Sequence, residues 1–160
     1  MKRKKSIKSL KIFLDTSVIL SGLASDSGGS AKLLDAGKMK KFKLTATSYV
    51  FEEASRHLSK LNIPPQKLER LLSAKIVKLI KDPPKNIASK FEKITYDIKD
   101  TPIIAGAVKS ASDFLISLDK KHILTPEVKR AIKPINVCTP KVFWSLMAKS
   151  QKESLTDGTN

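Results

Sequence analysis

Apolar residues fall along this chain in short continuous runs, separated by stretches where they recur at every third or fourth position. The run Lys11-Ile-Phe-Leu-Asp-Thr-Ser-Val-Ile-Leu20 is rich in β-branched residues and reads as a strand buried on both faces, as in a parallel sheet. Phe42 to Thr45, Val77 to Ile80, Phe114 to Ser117 and Ile135 to Cys138 read as further short strands. Between them the spacing turns helical: Ala31, Leu33 and Leu34; then Val50, Phe51, Ala54 and Leu58; then Leu68, Leu71, Leu72 and Ile76; finally Val142, Phe143, Leu146 and Met147. Start signals fit these phases, with Ser30 and Ser48 as N-caps and Pro65 opening a helix. Asp100 or Thr101 stands before Pro102, and Thr139 before Pro140. Ser25 to Ser30 and Asp82 to Lys85 are loops. Strands alternating with helices predict an α/β domain whose parallel sheet is covered on both sides. The expected organisation is a basic lead over residues 1–10, one domain over 11–149, and a polar, frayed tail over 150–160.

Charge adds a partner class. Thirty-one Lys and Arg against fifteen Asp and Glu give +16, a field that attracts polyanions, of which nucleic acid is the commonest in a cell. The plain alternative is a lysine-rich surface that serves solubility. Cys138 is the only cysteine, which excludes an intramolecular disulfide and a four-cysteine zinc site, and its apolar neighbours read as a small buried hydrophobe. The opening looks superficially like a secretion signal, but Asp15 divides its apolar stretch. With no apolar run of about 18 residues, a cytoplasmic protein is expected.

The chemistry lies in acids. In open parallel sheets, sites form where strands end at their carboxyl edge. Asp15 falls within or just after the first strand, and Asp119 just past the Phe114–Ser117 strand. Asp100 stands at a helix start, and Glu52 or Glu53 in the first turns of a helix that follows a strand. Taken singly, each has a bland reading: a cap for Asp100, a helix-dipole partner for the glutamates, a turn residue for Asp119. Asp15 resists this, since a charge inside an apolar strand is costly unless compensated. Carboxylates packed together need a cation, and hard oxygen ligands suit Mg2+ or Mn2+, the ions of phosphodiester hydrolysis.

The motifs also resemble a family. Phe13-Leu-Asp-Thr-Ser-Val-Ile-Leu20 is similar to the opening strand of PIN domains, the family of the VapC-like toxins of toxin–antitoxin pairs. Asp97-Ile-Lys-Asp-Thr-Pro-Ile-Ile-Ala-Gly-Ala107 resembles its second acidic motif, and Ser112 to Leu124 its third, a strand ending in Ser/Thr-x-Asp. Thr139-Pro-Lys-Val-Phe143 resembles a Thr-Pro-x-x-Phe found near the end of such domains. The resemblance covers about residues 10–148 with the motifs in order. It implies a three-layer α/β/α sandwich and metal-dependent cleavage of RNA, with Asp15, Asp100 and Asp119 as metal ligands. Glu53 is the helix acid (Glu52 its rival), Ser17 and Ser117 orient ligands or phosphate, and Asp97 supports them. An antitoxin partner and a homodimer are implied as well.

Lys120, Lys121 and the stretch Lys38 to Lys43 are candidates for RNA backbone contacts; His57 and His122 read as surface residues without a catalytic role. The main rival is a non-catalytic basic RNA-binding α/β domain, against which stands the scarcity of aromatics on strands. A haloacid-dehalogenase-like enzyme needs an acid two residues after the first aspartate, where this chain has Ser17. A receiver domain needs a paired acid near the first strand's end, and none is present.

Overall fold

The computed structural model describes residues 10–158, so all of the basic lead except Leu10 lies outside the described residues. The chain runs β1 (Lys11–Leu14), α1 (Thr16–Ala24), α2 (Gly29–Lys38), β2 (Lys43–Thr47), α3 (Ser48–His57), α4 (Pro65–Ser73), β3 (Val77–Ile80) and α5 (Lys85–Ala88). It continues through α6 (Thr101–Lys109), β4 (Phe114–Ile116), α7 (Pro126–Ala131), β5 (Asn136–Cys138) and α8 (Pro140–Asp157). The five strands form one parallel sheet in the order β3-β2-β1-β4-β5. This is the expected α/β/α architecture.

The first apolar run is not one strand. β1 ends at Leu14, and Asp15 converts the chain to helix. The Asp15 amide still donates to the Ile116 carbonyl at 3.1 Å, while its own carbonyl already accepts from Val18 and Ile19. Its carboxylate takes the Thr16 amide at 2.7 Å as an N-cap, so Val18 and Ile19 enter the core from a helix. β-Branched composition was the misleading signal, because burial overrides propensity. Gly28, with φ 98°, rather than Ser30 precedes α2, and Thr47 rather than Ser48 precedes α3. α8 reaches Asp157, where a frayed tail from residue 150 was expected; Gln151, Lys152, Glu153 and Leu155 are good helix formers although exposed.

Alternation assigns the two faces. Ile12 and Leu14 share one side with Leu44, Ala46, Phe114 and Ile116 by register. On that side Phe143 of α8, fully buried, meets Phe114 edge-on at 5.0 Å and Phe42 at 5.3 Å. Thr139 accepts from the Val142 amide and Pro140 opens the helix, so the Thr-Pro-x-x-Phe motif is a cap plus a core anchor. On the other side Phe13 lies under α6. A Cβ on Gly106 would fall 2.8 Å from the Phe13 ring and 3.1 Å from Thr47, so glycine lets α6 sit close and sets the position of Asp100 at its start.

β1 is central, with β2 and β3 to one side and β4 and β5 to the other. The connections after β1 and β4 therefore diverge and leave a crevice at the carboxyl edge between these two strands. Replacing Phe143 by Ala is expected to lower unfolding free energy by about 3–5 kcal/mol, and by Leu far less. Urea denaturation measures both; a loss under about 1 kcal/mol for the alanine variant contradicts this anchor role.

Candidate active site

Asp15 follows β1 and is 4% exposed. Its Oδ2 accepts from the Ser117 hydroxyl at 2.6 Å and the Ser17 hydroxyl at 3.0 Å, while Oδ1 takes the Thr16 amide. Burial pushes its carboxyl above the usual range, against the downward pull of Ser117, Ser17 and Thr16, with Glu53 adding a further push upward. The two serines, expected to orient ligands or phosphate, stand beside Asp15.

Glu53 lies on α3, in the same cleft. Its Oε2 accepts from the Thr16 hydroxyl at 2.7 Å, which fixes Glu53, and not the exposed Glu52, as the helix acid facing Asp15. Thr16 was missed by sequence reading. Helix phase could have settled the glutamates, because Val50 and Ala54 are buried and Glu53 sits beside them on the helical circumference, whereas Glu52 points away.

Asp100 ends a 3-10 turn at Ile98–Asp100, whose preceding residue Asp97 accepts from the Lys99 amide at 3.0 Å. It occupies the N-cap position of α6 but makes no side-chain cap bond, so the capping alternative does not hold for it, and Asp97 caps only the 3-10 turn before it. Its Oδ2 is buried without a hydrogen-bond partner among the described residues, and the nearest polar atom recorded beside it is His122 Nδ1 at 3.4 Å. Burial, joined by the negative charges of Asp119 and Asp15, pushes Asp100 up to about 7, while His122 pulls the other way.

Asp119 stands two residues past Ser117, whose hydroxyl accepts from the Asp119 amide at 2.9 Å. Its Oδ1 accepts from the amides of Lys121 and His122, and its Oδ2 lies 3.2 Å from His122 Nδ1. His122, read from sequence as a surface residue, therefore stands between two of the carboxylates. The signal was its spacing of three from Asp119, within reach of an Asp-initiated turn.

Asp15, Ser17, Glu53, Asp100 and Asp119 line one cavity of about 310 Å³, with Lys60 and His57 also in its wall. Lys120 and Lys121 do not line it; Lys120 lies in two other depressions. Ligand atoms of Asp97, Asp100 and His122 all come within 4.8 Å of one another, close enough to share a metal ion. Among the described residues this trio, and not the expected Asp15, Asp100 and Asp119, is the group that meets that spacing; the four carboxylates of the cavity and the unpartnered oxygen of Asp100 are nonetheless the hard oxygen donors that suit a divalent cation. Tyr49 joins α3 to the segment before α6, donating from its hydroxyl to the Lys99 carbonyl at 2.9 Å. Cys138, by contrast, is buried, and burial pushes its thiol up to about 11, which leaves it unreactive.

Three solved structures share this architecture. PAE2754 from Pyrobaculum aerophilum is similar over 91% of this chain and 99% of its own, at 17% identity and a TM-score of 0.60. VapBC2 from Rickettsia felis, bound to a DNA fragment from its promoter, matches over 81% of this chain and 98% of its own, at 16% identity and 0.57. VapC20 from Mycobacterium tuberculosis, described as a sarcin-ricin loop cleaving toxin, matches over 75% and 94%, at 14% identity and 0.53. At such identities these likenesses establish the fold. No match is found among curated proteins. No helix among the described residues is long and apolar enough to cross a membrane. The PIN domain matches residues 11–121, a span that opens with β1 and closes just past Asp119 and so takes in all four acids of the cavity, and the chain belongs to the PIN-domain family.

Proposed function

We propose that this chain is a divalent-metal-dependent endoribonuclease acting as the toxin of a toxin–antitoxin pair, in the cytoplasm. The observation that carries the enzymatic reading is the convergence of Asp15, Glu53, Asp100 and Asp119, from four separate elements, on one cavity. The likeness to a toxin described as cleaving the sarcin-ricin loop supports RNA as the substrate. The likeness to VapBC2 supports an antitoxin partner.

In this reading Asp15, Asp100 and Asp119 hold Mg2+ or Mn2+, which when bound supplies charge neutralisation and an activated water for phosphodiester hydrolysis. Ser17 and Ser117 fix the rotamer of Asp15 by their hydroxyl bonds. Thr16 holds one oxygen of Glu53 and leaves the other to accept a proton from water. Asp97 sets the turn that presents Asp100. Lys60 and His57 at the cavity wall face the negative phosphate of the substrate.

Labelled RNA should be cut in the presence of Mg2+ or Mn2+, not in EDTA, and not by Asp15→Asn or Asp119→Asn. Thr16→Val should retain the fold and lose about 10–100-fold, as expected when an orienting partner is removed. RNA binding without any metal-dependent cutting would favour the non-catalytic domain instead.

The raised Asp100 gives a second test. Between its ordinary 3.8 and about 7 the folded protein holds a proton that the unfolded chain has released. Its protonated form therefore stabilises fully below pH 3.8, and this contribution is lost as pH rises through about 7. Asp100→Asn should accordingly be more stable than the parent at pH 8 without metal, by about 1–2 kcal/mol after solvent screening, and nearly equal at pH 4. Mg2+ should stabilise the parent and not the variant. Equal thermal unfolding of the two at pH 8 would contradict the repulsion described.

The pair reading also predicts a homodimer, measured as twice the chain mass by light scattering. A monomer at micromolar concentration contradicts it.

A further inference from the structure

On the α6 side of the sheet, register places Lys11, Lys43, Thr45 and Lys78 on one face: Lys11 pairs with Lys43, and Thr45 with Lys78. The opposite face of the same strands carries Ile12, Leu44, Ala46 and Val77, all buried. A sheet face in an α/β fold is ordinarily apolar and covered by helix. Here α6 ends at Lys109, and the face beyond it is left as a groove of about 770 Å³.

Among the described residues seven lysines line this groove, contributed by three strands or their ends, by α6, and by the turns at Lys40 and Lys75. No carboxylate is in its lining. Thr45, Ser110 and Ile80 also line it on this face, and Gly37, Phe42 and Leu44 border it from the other side of the sheet. Asp113 is near its end, where its carboxylate accepts from the Lys11 amide at 2.9 Å. Gathering so many like charges in one concavity is unfavourable unless a polyanion relieves it. A concave channel of this kind fits a linear polyanion better than it fits a flat lipid surface. It shares no lining residue with the acidic cavity, and Lys11 precedes Asp15 by only four residues, on the order of 13 Å along β1.

We infer that this lysine groove is a second nucleic-acid site, which grips a phosphodiester backbone away from the acidic cavity. Its purpose as an anchor for substrate rests on the nuclease reading, but the binding itself does not. Lysines hold the phosphates as point charges. The groove thus supplies affinity, and no cutting, to whichever strand occupies it.

The test is fluorescence anisotropy in EDTA with the full chain and two labelled probes, a single-stranded RNA and a duplex DNA of equal length. The groove variant Lys43→Gln/Lys78→Gln/Lys109→Gln is compared with Lys129→Gln/Lys133→Gln/Lys141→Gln, which removes the same charge elsewhere on the surface. All six side chains are exposed, and thermal unfolding checks that both variants fold. The groove variant should lose roughly 10–100-fold in affinity, and its log–log salt slope should fall by about 2 for single-stranded RNA. The other variant should stay within about twofold of the parent. The probe that suffers the larger loss identifies the ligand. Equal losses in the two variants, or no loss in the groove variant, overturn the proposal. Because EDTA suppresses cutting, failure here leaves the cleavage assay to judge the nuclease reading separately.

Discussion

Desolvation of acids gathered in one cleft, reinforced by their mutual repulsion, is the constraint around which this molecule is arranged. Asp15 is buried at the carboxyl end of the central strand and has hydroxyls and an amide, but no cation, as recorded hydrogen-bond partners. Asp100 carries an unpartnered buried oxygen and is pushed up to about 7 by burial and its acidic neighbours. A fold optimised for stability alone would neutralise these groups, since an uncompensated buried charge is among the costliest features a core can hold. The arrangement persists because Ser17, Ser117 and Thr16 hold the acids in place and Gly106 lets α6 close on Phe13. Perturbed acids gathered in a cleft are a physical mark of a functional site.

Much of this was legible in the sequence. The strand at Phe114–Ile116 announced itself by apolar continuity, those at Val77–Ile80 and Asn136–Cys138 by short apolar, β-branched character, and the strand–helix alternation pointed to the class. The ends of β1 and β4 drew attention to Asp15 and Asp119 because acids next to apolar runs need a reason. What stayed hidden depended on three-dimensional partners. Nothing local told that β1 stops at Leu14, since Val18 and Ile19 are as apolar as a strand requires. His122 gained meaning only when the turn after Asp119 brought its ring between two carboxylates. The short helices α5 and α7 lack strong periodicity, and their backbones settle against neighbours rather than announcing themselves.

Charge is also segregated. The net +16 is not spread evenly: the acids meet at the carboxyl edge of the sheet, and seven lysines gather in a groove that the cavity does not share. The lysine stretch Lys38 to Lys43 was noticed in sequence, but its partners come from distant positions: Lys11 and Lys78 by strand register, and Lys109 from the end of α6. A parallel sheet makes this possible, because alternate residues of one strand serve opposite faces. One face of β2 builds the core with Leu44 and Ala46, while on the other Thr45 and Thr47 are buried and Lys43 is exposed.

The central claim, that separate acids converge to cage a divalent ion, is tested most directly by anomalous scattering from crystals soaked in Mn2+. The account predicts a strong peak within coordination distance of the carboxylates of Asp15, Asp100 and Asp119. A map in which Mn2+ is absent from that cavity, or bound elsewhere while these three carboxylates hold only protein donors, contradicts it.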